Sequence, residues 1–459
     1  MTFVGGKLPP QPLKTANSET VLRTGIPVPK IPYGEAVETA AARWSAQPLV
    51  RPFSGIRPVA GHTQMIAAPP YDVLTTEEAR AQVQDNPWSI LRVSMPEIEL
   101  PLDTDPHAPE VYAKAAENME RMLEDGVVRR DTGVHYYIYR AELDGHVQTG
   151  VVVGASIEAY ETGRIRKHET TQPDKETDRV RQIEAVGAHT GPVMMFHRTN
   201  PAIAQVIAET TVAEPDADVT VDGVGHHTVW VVSDPVRIDR ISTSFNAIEA
   251  LYIADGHHRS AAAQRVAEHR RAADAAGRAD AIYNFFLGVS FPDDEVQILD
   301  YNRVVRDLNG HGVDAYLAEV AKRFTVTLNK TPVRPTRTHE FAMYLDGRWY
   351  SLGLAKAPPA TAPPSERLDV GLLSTHLLEP ILGIRDSLGD SRIDFVGGAR
   401  GLDELVRRVD SGEMAVAFAF HPVSVAELIA VADEGGVMPT KSTWFEPKLM
   451  DGLVSLPLD

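Results

Sequence analysis

Residues 254–263, which read Ala-Asp-Gly-His-His-Arg-Ser-Ala-Ala-Ala, constrain the fold of this chain more than any other stretch. The apolar residues 248–253 precede it and predict a short buried strand. Residues 261–275 follow it and predict a helix, because they are rich in alanine and contain no proline. The stretch therefore predicts a strand that turns sharply through Gly256 into the N-terminus of a helix.

Such a turn offers an anion-binding site. We expect Asp255 to cap the helix, whose first turn presents free backbone N–H groups and a partial positive charge. The imidazoles of His257 and His258 lie in this turn beside Arg259, an arrangement typical of a phosphate site. A capped helix with surface histidines is the alternative. The local charge favours the anion site, because four arginines share one short segment of an acidic chain: Arg259, Arg265, Arg270 and Arg271.

Composition limits the classes of function. The formal net charge of −18 argues against a protein that coats nucleic acid, although a local site for an anionic nucleotide remains compatible with it. The absence of cysteine excludes disulfides, thiolate zinc sites and cysteine nucleophiles. No apolar run is long enough for a membrane span, and the first residues lack a signal-peptide core, so we expect a cytoplasmic protein with no membrane partner.

A second polar cluster lies upstream of the glycine turn. Thr170 and Thr171 stand directly beside Glu169, between the cations Lys167 and Arg179. A solvated loop followed by a charged helix face is the alternative reading of this cluster. The combination of a base, hydroxyls and cations is, however, what a phosphoryl-transfer site requires.

Other site chemistries match the residues less well. The segment that begins at His168 resembles the start of a metalloprotease helix, but Gln172 stands where the second histidine must fall. The adjacent histidine pairs at 226–227 and 257–258 diverge on a strand or a helix, so we expect no zinc site. The chain also lacks the glycine motif of dinucleotide-binding folds, the P-loop and the hydrolase nucleophile elbow.

The order of predicted elements suggests four regions. They are a loosely attached extension with one helix at 35–44 (residues 1–48), an α+β subdomain (49–157), a core with the glycine turn (158–310) and a C-terminal α+β subdomain (311–459).

Within the second region the pattern predicts a helix over 77–83, capped by Thr75 or Thr76, a strand over 89–93 and a helix over 109–124. It then predicts a hairpin that turns at Asp144-Gly145.

The last residues leave two interpretations open. The segment from Lys441 to Lys448 could contribute a phosphate contact or a domain-docking contact. Equally, it could be a closing tail that is packed by Trp444 and Phe445.

Several motifs together resemble the DUF1015 family, in the same order and over residues 50–459. The motifs are Arg51-Pro-Phe, Gly55-Ile-Arg-Pro, Ala68-Pro-Pro-Tyr-Asp, Arg166-Lys-His-Glu-Thr-Thr, Asp174-Lys-Glu, Asp178-Arg, Ala254-Asp-Gly-His-His-Arg, Asp300-Tyr-Asn-Arg and Met438-Pro-Thr-Lys-Ser-Thr-Trp-Phe. The Asp-Gly-His-His-Arg loop is also similar to the phosphate-binding turn of the ParB/sulfiredoxin-like fold. The free-serine kinases of that superfamily, which convert L-serine to O-phospho-L-serine with ADP or ATP, carry a similar turn.

The resemblance implies a fold and a chemistry. The fold is an α+β fold in which a mixed-sheet, ParB/sulfiredoxin-like nucleotide-binding core is flanked by N- and C-terminal α+β subdomains. The free-serine kinases carry a His-Glu pair upstream of the turn, and its glutamate acts on the serine hydroxyl. His168 and Glu169 match this pair in type and order, although the spacing to Asp255 is longer here.

The leading hypothesis is therefore a small-molecule kinase that uses ADP or ATP with Mg²⁺ and phosphorylates a small hydroxyl-bearing metabolite such as free L-serine. The catalytic candidates are Glu169, as the base, with His168, Lys167 and Arg179. The nucleotide-binding candidates are Asp255, Gly256, His257, His258, Arg259 and Ser260, with Asp255 also an indirect Mg²⁺ ligand. The substrate-binding candidates are Thr170, Thr171 and Asp72, and no residue is expected to be a direct metal ligand.

Two other functions stay open at this point: a non-enzymatic, ParB-like nucleotide-binding switch or regulator, and a metal-dependent hydrolase. The acidic charge and the lack of a basic helix-turn-helix after the turn disfavour the switch. The oligomeric state is also open, with a homodimer among the options.

Overall fold

The computed structural model describes residues 48–276 and 278–459. The expected extension, apart from residue 48, and its helix at 35–44 lie outside these described residues. Within the described ranges, no helix is both long enough and apolar enough to cross a bilayer.

The strands of the first half of the chain are β1 (Val50–Arg51), β2 (Ile56–Pro58), β3 (Val128–Arg130), β4 (Tyr136–Leu143), β5 (His146–Ser156), β6 (Ile165–Arg166), β7 (Ala188–His189), β8 (Val193–His197), β9 (Ala217–Val221) and β10 (Gly225–Val232). Those of the second half are β11 (Leu251–Asp255), β12 (Phe285–Pro292), β13 (Gln297–Leu299), β14 (Tyr301–Val305), β15 (Phe324–Asn329), β16 (Glu340–Leu345), β17 (Arg348–Leu354), β18 (Ile393–Gly397), β19 (Val416–Phe420), β20 (Trp444–Glu446) and β21 (Leu456–Pro457).

The helices are α1 (Thr63–Ile66), α2 (Thr76–Gln82), α3 (Leu91–Ser94), α4 (Pro109–Glu124), α5 (Ile157–Glu161), α6 (Pro173–Val186), α7 (Pro201–Thr210), α8 (Pro235–Asn246), α9 (His257–Ala273), α10 (Val313–Val320), α11 (Asp369–Leu373), α12 (Gly401–Asp410) and α13 (Val425–Asp433). Short 3₁₀ helices lie at Tyr71–Val73, Pro96–Glu99, Ile282–Asn284, Pro364–Arg367 and Gly398–Arg400, and a π turn lies at Ser374–Leu378.

A large mixed sheet forms the centre of the fold. Its strand order is β6-β11-β8-β12-β5-β4-β10-β9, and β1 pairs with β5. The β11–β6 and β12–β8 pairs are parallel, whereas the other neighbours are antiparallel. The expected α+β fold with a mixed sheet is thereby confirmed.

Most strands of this sheet contribute to two hydrophobic clusters: β4, β5, β8, β10, β11 and β12. In β11, Tyr252 and Ala254 belong to one cluster, whereas Leu251 and Ile253 belong to the other. This alternation follows from the two-residue period of a strand, which directs neighbouring side chains to opposite faces. The sheet is therefore buried on both faces and supports β11 firmly as it leads into α9.

A second sheet, which is antiparallel throughout, lies in the C-terminal part of the chain, with the strand order β15-β17-β16-β19-β14-β18. After it, the chain pairs with two strands that precede this sheet in the sequence. Strand β20 pairs with β13, and β21 pairs with β7. Two isolated bridges, Ala68–Asp451 and Ile56–Ser455, add further contacts between the chain end and the N-terminal residues.

Several local predictions are confirmed. Helix α4 has the predicted bounds, and Thr75 caps α2 in a capping box with Glu78. The hairpin of β4 and β5 turns at Asp144 and Gly145, whose φ angles of 52° and 82° are those of a tight two-residue turn.

The strand predicted over 89–93 is wrong, because this segment forms helix α3. Its apolar residues, including Leu91 and Val93, pack with Met119 and Met122 of α4. A short apolar run fits a strand or a buried helix equally well by pattern, so packing against α4 decides the outcome.

The division into regions stays a prediction. Strands β4 and β5, from the region 49–157, and strands β8, β11 and β12, from the region 158–310, belong to one sheet. The two regions thus share a core.

Candidate active site

A cavity of about 800 Å³ lies where β11 ends and α9 begins. Its walls come from six parts of the chain that are distant in sequence. The lining residues are Tyr71, Asp72, Val73, Glu169, Thr170, Thr171, Gln172, Lys175, Asp178, Arg179, Ala254, Asp255, Gly256, His257, His258, Arg259, Tyr301, Leu388, Val437, Met438, Thr440, Lys441, Thr443, Trp444, Phe445 and Lys448. The structure thus brings the two polar clusters of the sequence together.

The turn at Gly256 has the predicted strand-to-helix form. Gly256 lies in the left-handed region, with φ 94° and ψ 29°, and α9 begins at His257. The expected capping role of Asp255 is wrong, because Gly256 itself occupies the cap position. Asp255 Oδ1 instead accepts a hydrogen bond from the Gly256 N–H at 2.7 Å. The N–H groups of the first turn of α9, which begins with His257, lack partners within the helix, as at any helix start.

The histidines around the turn are neutral. The rings of His168 and His257 pack edge to face, with 4.5 Å between their centroids. The backbone N–H of His168 donates to His257 Nε2 at 3.4 Å. Burial lowers the pKa of His168 to about 4, and burial together with His168 lowers the pKa of His257 well below its usual value. His258 Nε2 accepts a hydrogen bond from the Gln172 N–H at 3.1 Å, and burial together with Lys175 lowers its pKa. These rings therefore add no positive charge at neutral pH.

Glu169 is the carboxyl group that faces the turn. Its Oε2 lies 3.6 Å from His257 Nδ1, and 34% of its side chain is exposed. Burial and the charge of Asp255 raise the pKa of Glu169 to about 7, against the opposing effect of Lys441 and Lys448. A carboxyl group that titrates near neutral pH is well matched to general-base catalysis.

Arg259 supplies fixed positive charge beneath the turn. Its guanidinium donates to the Pro192 carbonyl and lies 3.3 Å from Asp72 Oδ2. Burial alone would lower the pKa of Arg259, but Asp72 and Asp255 raise it. Asp72, an expected substrate-binding residue, therefore lines the cavity as the partner of this arginine.

Three of the expected site residues do not line the cavity: Lys167, Ser260 and His168, whose buried ring packs against His257. The ammonium of Lys167 lies over the ring of Tyr160, 4.4 Å from the ring centroid. Ser260 is fully buried, and its hydroxyl donates to the His257 carbonyl at 3.0 Å. Attraction of the cation to an aromatic face accounts for the first placement, and bonding back within the helix accounts for the second.

The remaining expected residues do line the cavity, with local partners. Arg179 Nε donates to Asp178 Oδ2 at 2.9 Å, and its guanidinium lies 4.1 Å from the centroid of the Tyr71 ring. The Thr171 hydroxyl donates to Glu176, whereas Thr170 lines the cavity beside Glu169.

Residues near the C-terminus form part of the cavity wall, and the sequence alone did not show that they lie there. Lys448 Nζ donates to Asp255 Oδ2 at 2.8 Å. Burial alone would raise the pKa of Asp255, but Lys448 and Arg259 hold it well below its usual range. The two lysines at 441 and 448 were visible in the sequence as basic residues near aromatic ones. The contact of Lys448 with Asp255 was not, because it joins residues 193 positions apart.

The exposed part of the cavity lining is partly apolar. Val73, Leu388 and Val437 line the cavity although 42%, 52% and 53% of their respective surfaces are exposed. Exposed apolar residues beside polar and charged ones are typical of a site for a ligand with one apolar end and one polar end.

The residues present fit a nucleotide with a metal ion. The cavity volume lies in the range of small-molecule sites, and the cations stand near the free N–H groups of α9. Mg²⁺ needs only one or two carboxylates when substrate phosphates complete its ligands, and Asp72 and Asp255 both line the cavity.

Solved structures with distant similarity to this chain include the following three. A free serine kinase in complex with AMP is 13% identical, and the match covers 68% of this chain and 91% of that chain with a TM-score of 0.33. SbnI with a C-terminal truncation, from Staphylococcus aureus, is 12% identical, with coverages of 67% and 87% and a TM-score of 0.35. A conserved hypothetical protein from Pyrococcus furiosus is 13% identical, with coverages of 64% and 90% and a TM-score of 0.30. Similarities of this size leave the function to be argued from the residues of the chain itself.

No curated protein matches the chain. The family model described as DUF1015, protein of unknown function, matches residues 50–371, which is more than half of the 459 residues. The match includes the glycine turn, the His-Glu pair and the Asp300-Tyr-Asn-Arg motif. The chain therefore belongs to the DUF1015 family.

Proposed function

We propose that this protein is a small-molecule kinase that transfers a phosphoryl group from ADP or ATP to a hydroxyl group, with free L-serine as the first acceptor to test. One observation carries the proposal. The Glu169 carboxyl, whose pKa burial and Asp255 raise to about 7, shares a cavity with the cations and the free N–H groups at the start of α9. A base that is half ionised at neutral pH thus faces an anion site.

The proposed step is an in-line phosphoryl transfer. The Glu169 carboxylate accepts the proton of the acceptor hydroxyl, whose oxygen forms a bond to the terminal phosphorus. The bond between that phosphorus and the bridging oxygen breaks, and the leaving nucleotide departs with one phosphate fewer. Such reactions depend chiefly on positioning and on stabilisation of charge, so one base and a set of fixed donors are sufficient protein machinery.

The donor phosphates would bind at the glycine turn. The N–H groups of His257 and His258 begin α9 and can donate to phosphate oxygens. The guanidinium of buried Arg259 lies beside Gly256 and contributes positive potential at the turn. His257 Nδ1 lies 3.6 Å from Glu169 Oε2, so the proposed base stands beside the start of α9. When bound, Mg²⁺ would neutralise charge on the phosphates, and Asp255 and Asp72 are the residues that would hold it.

Two further features support a nucleotide as the donor. The exposed apolar residues Val73, Leu388 and Val437 of the cavity lining suit a base and ribose better than a free phosphate. The strand, glycine and helix that form the turn lie within a mixed sheet. These features support our proposal that the core is of the ParB/sulfiredoxin-like type.

Phosphorus NMR of the purified protein with Mg²⁺, ADP or ATP, and L-serine tests the proposal. We expect a growing phosphomonoester signal with stoichiometric loss of the terminal phosphate of the donor. If serine gives no product, the same experiment with other hydroxyl-bearing metabolites identifies the acceptor. A protein that binds neither ADP nor ATP would contradict the proposal, whereas nucleotide binding without transfer to any acceptor would favour a nucleotide-dependent switch.

A further inference from the structure

The two cations among the catalytic candidates, Lys167 and Arg179, have other partners. Lys167 lies over Tyr160 and does not line the cavity, whereas Arg179 lines it but is paired with Asp178. Two lysines from the far end of the chain, Lys441 and Lys448, also line the cavity. Residues 437–448, called here the C-terminal segment, carry both of them.

Lys448 stands at the end of β11. Its Nζ lies 2.8 Å from Asp255 Oδ2 and 4.7 Å from the centroid of the Trp444 ring. Its side chain is 16% exposed, so the ammonium lies near the cavity wall and is shielded from bulk water. An anion that binds at the start of α9 therefore meets this charge in a poorly screened environment.

Lys441 precedes β20, is exposed and lines the cavity. Its Nζ lies 5.6 Å from the centroid of the Tyr301 ring. Its backbone has φ 57°, in the left-handed region that lysine rarely adopts. Such a conformation persists only when the surroundings hold it, and it is found preferentially at functional sites.

Arg303 of β14 holds this backbone. Its Nη1 donates to the Lys441 carbonyl at 2.8 Å, and its Nη2 donates to the Thr440 carbonyl at 2.9 Å. The guanidinium is 2% exposed and lies within about 5 Å of the rings of Phe395 and Phe420. Burial of a charged guanidinium is costly unless it is hydrogen-bonded, and these two hydrogen bonds fix the positions of the carbonyls of residues 440 and 441.

We infer that Lys441 and Lys448 are the cations that bind the phosphates in this cavity, and that Arg303 is a positioning residue for Lys441. The inference rests on the proposed function for the identity of the ligand as a nucleotide polyphosphate. It extends that function by making the C-terminal part of the chain a component of the site.

Calorimetric binding of inorganic pyrophosphate and of ATP tests Lys441 first, since its side chain can be removed without leaving a buried partner. We expect Lys441→Met to weaken the binding of both ligands on the order of tenfold, because a charge-assisted contact is lost. The exposed Lys330 provides the matched control, and Lys330→Met should bind as the wild type does. Wild-type affinity of Lys441→Met for both ligands would overturn its assignment.

Lys448 requires a paired variant, because its removal alone leaves Asp255 without its cation. We expect the Lys448→Met, Asp255→Asn protein to keep a cooperative melting transition and to bind pyrophosphate at least tenfold more weakly, again from the loss of a charge-assisted contact. Lys448→Arg should retain most of the affinity. Wild-type pyrophosphate binding by the paired variant would overturn the role of Lys448.

The positioning role of Arg303 predicts non-additive losses. Arg303→Lys keeps the charge but not the forked geometry, and it should weaken pyrophosphate binding about as much as Lys441→Met does. The combined variant should lose no more than either single variant. Additive losses would show that Arg303 acts through the fold generally and would overturn this part of the inference.

Binding and transfer are measured separately, so the two proposals fail in distinguishable ways. A wild-type protein that binds pyrophosphate through the lysines but transfers no phosphoryl group would contradict the kinase proposal alone. Phosphoryl transfer with unaltered ligand binding in the lysine variants would contradict the present inference alone.

Discussion

At the scale of single residues, environment decides which ionisable groups can act. Neighbouring positions differ sharply: Lys167 packs on Tyr160, His168 is buried and neutral, and Glu169 faces the cavity with a raised pKa. The sequence identified this cluster as a candidate site because of its residue types. It could not separate the roles of the three residues, because side-chain direction in an irregular segment depends on contacts with distant residues.

The pKa of Glu169 predicts a pH profile. Only the ionised carboxylate can accept a proton, so kcat/KM for phosphoryl transfer should rise about tenfold per pH unit below pH 7 and level off above it. Initial rates at limiting acceptor, measured from about pH 5.5 to 8.5, provide the profile. A rate that is independent of pH below neutrality would contradict the assignment of Glu169 as the base.

A second buried carboxyl, Asp451, predicts a pH-dependent stability. It is 1% exposed, and burial raises its pKa to about 7 against the lowering effect of Arg259. The folded state therefore keeps a proton that the unfolded state loses, so this contribution to stability falls as pH rises from about 4 to 7. Asp451→Asn cannot ionise and should gain about 2–3 kcal/mol of unfolding free energy relative to wild type between pH 5 and pH 8.

Denaturant unfolding at these two pH values measures the Asp451 effect. The exposed Asp125 provides the control, because Asp125→Asn should change the unfolding free energy by the same small amount at both pH values. If the difference between Asp451→Asn and wild type were also equal at both, Asp451 would be ionised throughout.

At the scale of elements, the local sequence predicted the secondary structure correctly where the prediction depends only on periodicity and turn residues. Helix α4 and the hairpin at Asp144-Gly145 were predicted because periodicity and turn residues are local properties. The segment over 89–93 was not, because its packing against α4 overrides an ambiguous pattern. The glycine turn into α9 was predicted in form, although Asp255 bonds to Gly256 and Lys448 and does not cap the helix.

Gly256→Ala tests whether this turn requires a residue that tolerates the left-handed backbone conformation. Alanine in a left-handed conformation costs about 1–2 kcal/mol, and its Cβ would lie 3.3 Å from Arg259 Cζ and 3.4 Å from Val193 Cα. We expect a lower melting temperature together with weaker nucleotide binding, measured by thermal unfolding and calorimetry.

Gly412 provides a matched control, because it also has a positive φ, of 77°, but a Cβ there would meet no atom within 4 Å. Gly412→Ala should lower the melting temperature and leave nucleotide binding intact. Equal nucleotide affinity in both alanine variants would contradict the assignment of the turn as a phosphate site.

At the scale of the whole molecule, the chain end pairs with strands from far earlier in the sequence, and residues 437–448 supply part of the cavity wall. Strand β20 pairs with β13, and β21 pairs with β7. Local periodicity contains no information on such long-range pairings, so the sequence left open whether Lys441–Lys448 bind a ligand or close the fold. The structure places them in the cavity wall, and their binding role is our proposal.

A chain that ends after Val437 should fail to fold. Truncation removes apolar residues that are nearly completely buried: Met438, Phe445, Leu449, Met450, Leu453 and Leu456. At about 1.5–3 kcal/mol each, their loss is comparable to the whole stability of a typical protein, about 5–15 kcal/mol. Circular dichroism should show no cooperative melting, whereas a chain that lacks only the exposed Asp459 should melt as the wild type does. A truncated chain with a wild-type transition would contradict this account of the fold.

The most direct test of the central claim separates chemistry from binding in Glu169→Gln. This variant keeps the size of the side chain and the cation-lined cavity but cannot accept a proton. We predict that it binds ATP with near wild-type affinity, while phosphoryl transfer, followed by phosphorus NMR, falls by about 10²–10⁴-fold. The exposed Glu214 provides the control, and Glu214→Gln should turn over normally. Full turnover by Glu169→Gln would contradict the claim that this carboxylate is the base.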